Sequence, residues 1–448
     1  MSGKSTKFIY MGDPQPSRLA GAGPDYSRWG RLLHMTAARA YPEEPEDSGD
    51  FHTEKGLLLL GGDLVNRGTR EKRQEEWEAF FEAGGDLMDS LKVASPESFY
   101  SFDYGCCHFL VLNSEYMGTR QKAAYKYIGN WIRDDLQENG KPATFILMHH
   151  PIYTVGTSFS DRVLAETITE NYMKLFTKYR VDFILCGHQH LYCRTRQMGS
   201  PEYPMVQLMG VSGTKFFSGW DLGNMAFARE YESVATVFEV TESEIKLETY
   251  GSSGELIDTY AKAVNPKPKK DCSRCPRFEY CKGEKSPDSV VTPLAIEQLE
   301  KLMAPKLGEG VVMNVRETAA DMDKELLSRE ITGEEFRHMK HEEFEYSLMQ
   351  RGRLVFERHR GVRLSAVLAT EPEAEATLLV TNRKGVVKAL RLEEILYAGR
   401  YDERGNLAEQ VPAIITDDFR LVYGQRECGH YNGSHWIRNV AEIEITRV

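Results

Sequence analysis

The sequence predicts an α/β fold, two β-sheets packed face to face with helices outside, followed by a smaller α+β domain. Three observations carry this. Over the first 260 residues, short apolar runs alternate with segments whose apolar residues recur every three or four positions. Four of those runs stop at a polar residue of metal-ligating type. A stretch rich in Pro, Lys and Cys then interrupts the alternation, and different patterns follow it. At 448 residues the chain has room for two or three domains, each with its own core.

The elements follow in order. "KFIYMGD", "KGLLLLGGD", "FLVLNSE", "ATFILMHHP" and "VDFILCGHQH" read as interior strands, apolar on both faces. "REKRQEEWEAFFEAGGDLMDSL" and "AAYKYIGNWIRDDLQE" read as amphipathic helices between them. "PMVQLMGVSG" and "SVATVFEVTESEIKLETYGSSGELIDTY" read as further strands separated by turns. The acidic "YPEEPEDSGDFHTEKG" reads as a solvated insertion. Residues 1–261 are therefore assigned to the first domain, 262–290 to a linker or knuckle, and 291–448 to the α+β domain. In the last, Thr292 and Pro293 announce one helix, and Thr332 with Glu335 a second over "FRHMKHEEFEYSLM". "RLVFER" and "RLSAVLAT" read as strands, and "ATLLVTNRKGVVKALRL" as a hairpin turning at Asn382–Gly385.

A hydrophobic share of 41% and a charged share of 27% are those of a globular protein. The net charge of −11 argues against an extended nucleic-acid surface and gives an anionic substrate no general attraction. Such a substrate needs a local positive centre. No stretch approaches the ~20 apolar residues of a membrane span, and the N-terminus lacks a signal-peptide pattern, so a cytoplasmic location without membrane attachment is expected. In that compartment the eight cysteines are expected free or metal-bound; Cys106, Cys107, Cys186 and Cys193 lie in or beside strands and read as core.

The polar strand ends carry the chemistry. Asp13 and Gln15 follow the first strand, Asp63 and Asn66 the second, His149 and His150 the fourth, and His188 and His190 the fifth. A shared sheet edge would gather these loops. Carboxylates, an amide and imidazoles suit divalent ions such as Mn, Fe or Zn, and a carboxylate such as Asp63 can bridge two ions ~3.5–4 Å apart.

The ordered motifs D-x-Q, G-G-D-L, H-H-P-x-Y and G-H-x-H-x-Y, with "ESFYSFDYGCCHFLVLNSE" and "YIGNWIRDDL" between them, resemble the calcineurin-like metallophosphoesterase superfamily in its purple-acid-phosphatase-like branch. The resemblance covers roughly residues 5–250. It implies a four-layer αββα sandwich, a phosphoester substrate, and two divalent or trivalent ions (Mn, Fe or Zn). Asp13, Gln15 and His190 would hold one ion and His149 and His188 the other, with Asp63 shared. Gln15 stands where the family has His; it would ligate through its amide oxygen or stand behind the ligands. His150 would line the rim. Asn66 would approach a ligand or substrate oxygen, or simply turn the chain.

One element of that family pattern is missing. The branch carries G-N-H-[DE] between the G-D motif and the Y-S-F-x-Y-G-like strand, supplying an Asn ligand and a leaving-group His. Here the text is "FFEAGGDLMDSLKVASPESFYSFDYG". Three readings follow: a weakened hydrolase, a metal-binding scaffold acting through its C-terminal domain, or an internally deleted chain. Separately, "CSRCPRFEYC" spaces Cys272, Cys275 and Cys281 as a metal knuckle would, for Zn or an iron–sulfur cluster, with Cys428 or His430 as the fourth ligand; the alternative is ordinary linker cysteines. The C-terminal domain is a candidate surface for a protein partner.

Overall fold

The computed structural model describes residues 5–17, 23–42, 56–66, 70–267, 293–318, 325–350, 353–368, 376–428, 432 and 436–446. Most of the acidic insertion, Cys272, Cys275, Cys281, Thr292 and His430 lie outside them. Two compact units result: one from the described residues up to 296 except 118–124 and 158–163, the other from those two segments and the residues after 296.

The first unit runs β1 (Thr6–Met11), α1 (Ser27–Ala40), β2 (Gly56–Leu60), α2 (Arg70–Gly84), α3 (Leu87–Ser90), β3 (Leu91–Ala94), β4 (Tyr100–Tyr104), β5 (Cys107–Leu112), α4 (Ser114–Met117), α5 (Lys122–Glu138) and β6 (Ala143–Met148). It continues with α6 (Phe159–Lys178), β7 (Phe183–Cys186), β8 (Tyr192–Thr195), β9 (Met198–Gly199), β10 (Pro204–Met209), β11 (Met225–Arg229), β12 (Val234–Val240), β13 (Glu244–Gly251) and β14 (Leu256–Ala263). One sheet has the order β14-β13-β12-β1-β2-β3, the other β11-β8-β10-β7-β6-β5-β4, with β9 beside β10.

Alternation along the strands explains the layering. Phe8, Tyr10, Leu57 and Leu59 of the first sheet face Phe109, Phe145 and Phe183 of the second in one core. Their neighbours Ile9, Met11, Leu58 and Leu60 face the other way, onto Trp29 and Leu33 of α1 and Phe80 of α2. A strand buried on both faces must be apolar throughout, which is why these runs carry no polar alternation. On the second sheet, His108 of β5 points away from the core to Asp135 of α5, placing that helix outside. The unit is thus an α/β sandwich with its helices on the outer faces.

The smaller unit is α+β: α7 (Ile296–Met303), β15 (Val311–Thr318), β16 (Glu325–Thr332), α8 (Gly333–His338), β17 (His341–Gln350), β18 (Arg353–Arg363), α9 (Leu364–Leu368), β19 (Thr377–Asn382), β20 (Val387–Arg391), α10 (Leu392–Leu396), β21 (Gly399–Tyr401), β22 (Leu407–Gln410), β23 (Ile414–Thr416), β24 (Leu421–Val422) and β25 (Val440–Thr446). Its sheets run β16-β15-β25-β19-β20 and β17-β18-β23-β24, with β21 and β22 as a pair. The hairpin at Asn382 forms as expected, its side chain accepting from the Lys384 and Val386 amides.

Two expectations fail here. Thr332 does cap α8 by accepting from the Glu335 amide, but the helix stops at His338. Beyond it Phe344, Tyr346 and Leu348 recur every second residue, and ten register pairs with β18 make this segment a strand. Conversely "RLSAVLAT" is not a strand. Leu364, Val367 and Leu368 are buried at helical spacing and form α9.

Candidate metal centre

Parallel pairing of β1 with β2, and of β7 with both β6 and β10, brings four strand ends to one edge of each sheet. The two edges are then fastened together. Tyr10 donates its hydroxyl to the Cys186 carbonyl and the Gly213 amide donates to the Asp13 carbonyl at 3.0 Å, while the Gly61 and Gly187 amides, donating to Met11 and His149 carbonyls at 2.9 Å, tie the loops within each sheet. Close approach is built in at Gly187, where a Cβ would lie 2.1 Å from Asp13 Oδ1. Eight described non-glycine residues have positive φ, and four of them are Asp13, Asp63, His188 and His190. Backbone strain of this kind gathers where side chains must be aimed.

The side chains converge. His149 Nε2 lies 3.8 Å from Asp63 Oδ2 and its Nδ1 3.7 Å from Asp13 Oδ1. His190 Nε2 lies 3.9 Å from both Asp13 Oδ2 and Asp63 Oδ2. His188 Nδ1 is 3.3 Å from His149 Nε2. Ring nitrogens of His149, His150 and His188 all fall within 4.8 Å of one another, a cluster able to coordinate a metal ion. His149 donates Nδ1–H to the Gly61 carbonyl at 2.8 Å, and His190 donates Nδ1–H to the Lys215 carbonyl at 3.0 Å. A carbonyl only accepts, so both rings turn an Nε2 lone pair inward, the tautomer a ligand needs.

Electrostatics agree. Both Asp13 oxygens are buried without a well-formed hydrogen bond, and burial, then the Asp63 charge, raises its carboxyl well above the ordinary range against the opposing pull of the His188 amide. Burial also raises Asp63, but the His149 and His190 imidazoles and the Lys215 ammonium outweigh it and leave it below the usual value. Burial, then His188, lowers His149; burial, then Lys215, takes His190 down to about 3. Imidazoles held neutral beside the buried Asp13 and the ionised Asp63 fit a cation.

Gln15 is 3% exposed and lies in the cluster, its Nε2 donating to Asp63 Oδ2 at 2.5 Å and standing 3.4 Å from His190 Nε2. Its Oε1 accepts from Lys215 Nζ at 3.4 Å. His150, expected at the rim, is instead 6% exposed and held by Ser114, whose hydroxyl lies 2.8 Å from Nδ1. Asn66 ties its loop to the one after β1: its Nδ2 donates to the Pro16 carbonyl at 3.1 Å. Cys428 is exposed and free; Cys107, Cys186 and Cys193 are buried and Cys106 half-buried.

Sequence reading missed Lys215 and Ser114. Lys215 follows the Gly-rich end of β10, so the strand-end reasoning applied to the other loops would have found it. Ser114 closes β5 in the same way. Between Asp63 and β4, where the G-N-H element is missing, the chain passes through α2, α3, β3 and a turn at 95–98. A cleft of about 290 Å³ stands beside that turn, lined by Asp63, Glu97, Asn113, Ser114, Glu115 and His149 among others.

Residues 84–192 match the family model described as calcineurin-like phosphoesterase, and the sandwich matches that fold. The chain is similar to a purple acid phosphatase isolated from yellow lupin (Lupinus luteus) seeds, at 15% identity and a TM-score of 0.45 over 64% of this chain and 58% of that one. It spans less than two thirds of the lupin protein's length. It is also similar to GAP50, the anchor in the inner membrane complex of Plasmodium, at 13% identity and a TM-score of 0.42 over 64% of this chain and 98% of that one. A conserved uncharacterized protein from Streptococcus pneumoniae TIGR4, a predicted phosphoesterase, matches at 9% identity and a TM-score of 0.27 over 58% of this chain and 98% of that one. No described helix is long and apolar enough to cross a membrane.

Proposed function

We propose that the chain is a metal-dependent phosphoester hydrolase acting, in the cytoplasm, through Asp13, Asp63, His149, His188 and His190. One observation supports this above the rest: ring nitrogens of His149, His150 and His188 lie within 4.8 Å of one another beside Asp63, and the Gly61 carbonyl sets the His149 tautomer for ligation. Mn, Fe or Zn suits that donor set, and such an ion supplies Lewis-acid activation of water and charge neutralisation at phosphorus.

The residues do the rest. Gly61 and the Lys215 carbonyl orient the two rings. Asp63, 40% exposed at its side chain, faces the open side and shares its charge between the His149 and His190 sides. Ser114 fixes His150 beside His188, their ring centroids 4.2 Å apart. The cleft next to Asp63 and His149 offers room for a phosphoester and places Glu97 and Glu115 on its wall. Like charge there disfavours polyanionic substrates, so monoesters and diesters of low charge are the better fit.

A second reading is a metal-binding scaffold, favoured by the Gln15 amide hydrogens turned toward Asp63. Phosphoester turnover, measured with metal occupancy on the same sample, separates the two. Turnover that rises with occupancy supports the hydrolase; full occupancy without turnover supports the scaffold.

A further inference from the structure

We propose that Lys215 takes the place of one of the two ions, so that the chain holds a single divalent ion on the His149–His150–His188 side of Asp63. This rests on the metal-dependent reading above and departs from the two-ion centre implied by the sequence resemblance.

The Asp13–Gln15–His190 side is filled by protein groups. Lys215 Nζ donates to Gln15 Oε1 at 3.4 Å. An ammonium cannot accept, so this contact fixes the amide: its oxygen faces Lys215 and its NH₂ faces inward. That NH₂ donates to Asp63 Oδ2 at 2.5 Å and lies 3.4 Å from His190 Nε2. The amide hydrogens therefore take one lone pair of Asp63 Oδ2 and face the one lone pair of His190 Nε2 that an ion on this side would need. An ion ~2 Å from His190 Nε2 would have to displace that NH₂. Lys215 is anchored at both ends, because its own carbonyl accepts from His190 Nδ1 at 3.0 Å. Phe217, two residues on, packs its ring against His190 at 4.8 Å and donates its amide to the His190 carbonyl at 3.2 Å. The loop thus holds the ammonium against Gln15 Oε1, and its charge acts on both Asp13 and Asp63.

The opposite side differs. His149, His150 and His188 bring three ring nitrogens within 4.8 Å of one another, with Asp63 3.8 Å from His149. A divalent ion there would meet imidazoles and a carboxylate; a second dication beside Lys215 would meet like charge.

The test counts ions. Metal-stripped full-length protein, its Lys215→Met and its Lys215→Arg variants are titrated with Zn²⁺ and with Mn²⁺ by calorimetry. Bound metal is then measured after desalting, and melting curves confirm folding. Expected are about one ion per chain for wild type and Lys215→Arg, and about two for Lys215→Met, whose stem keeps the packing without the charge. Two ions on wild type would overturn the Lys215 assignment while leaving the metal reading intact, and this result needs no variant to fold. One ion on folded Lys215→Met would also overturn it. No ion on any of the three would remove the metal reading itself.

Discussion

His149 donates its Nδ1–H to the Gly61 carbonyl at 2.8 Å, and a Cβ on the next residue, Gly62, would lie 2.5 Å from that same Nδ1. The φ of +98° at Gly62 makes a side chain there strained as well as crowded. Gly62→Ala should therefore tilt the ring and weaken divalent-ion binding about 10–100-fold, as loss of an orienting partner does elsewhere. His149→Ala should weaken it further. Calorimetric titration with Zn²⁺ checks both; unchanged affinity in Gly62→Ala would separate the ring's orientation from ion binding.

Asp13 gives separate predictions for stability and for metal binding. Its raised carboxyl favours the folded state while protonated, and that contribution is lost as pH rises through its folded value. In metal-stripped protein at neutral pH, Asp13→Asn removes a buried acid that the unfolded chain ionises more readily than the fold does, and should raise the melting temperature by a few degrees, for ~1–3 kcal/mol. With the ion on the His149–His150–His188 side, the same variant should keep most of the extra stability that added metal gives wild type. Scanning calorimetry with and without Mn²⁺ decides it, and a lower melting temperature for stripped Asp13→Asn would contradict the buried-acid account.

Most of this centre was legible because it is built at strand ends. Apolar runs stopping at Asp13, Asp63, His149 and His188 locate the loops, and parallel pairing does the rest. Three things were not legible. The Gln15 amide's direction depends on Lys215, 200 residues away. The burial of His150 depends on Ser114, at the end of a different strand. In the C-terminal region, Thr332 announces a helix truly, but nothing local says that pairing with β18 ends it at His338.

His108 offers a test away from the centre. Burial alone would lower its pKa, but hydrogen bonds to Asp103 at 2.7 Å and Asp135 at 2.8 Å raise it to about 9. A raised histidine stabilises fully below its unfolded value of ~6.5 and loses that contribution as pH climbs through about 9. Wild type should lose up to about 3 kcal/mol across this window, by the linkage of ~1.4 kcal/mol per unit. His108→Gln should flatten that limb. Urea melts at pH 6, 8 and 10 provide the comparison, and an identical pH slope in the variant would show that another group controls it.

The missing G-N-H element bears on substrate choice. Without its leaving-group histidine, esters that need little protonation should be hydrolysed best. An aryl phosphate should exceed an alkyl phosphate in kcat/KM by more than their intrinsic difference, by about 10²–10⁴ if a positioned acid is absent. Comparing the two across pH measures this directly. Equal turnover would mean that a residue of the cleft, Glu97 or Glu115, supplies the proton.

The most direct measurement of the central claim is aryl phosphate hydrolysis by one preparation, metal-stripped and then reconstituted in steps with Mn²⁺, Fe²⁺ or Zn²⁺, with His188→Ala alongside. Turnover should vanish on stripping, return in proportion to bound metal, and stay absent in His188→Ala. Turnover that is indifferent to metal, or none at full occupancy, would contradict a metal-dependent phosphoesterase built on these strand ends.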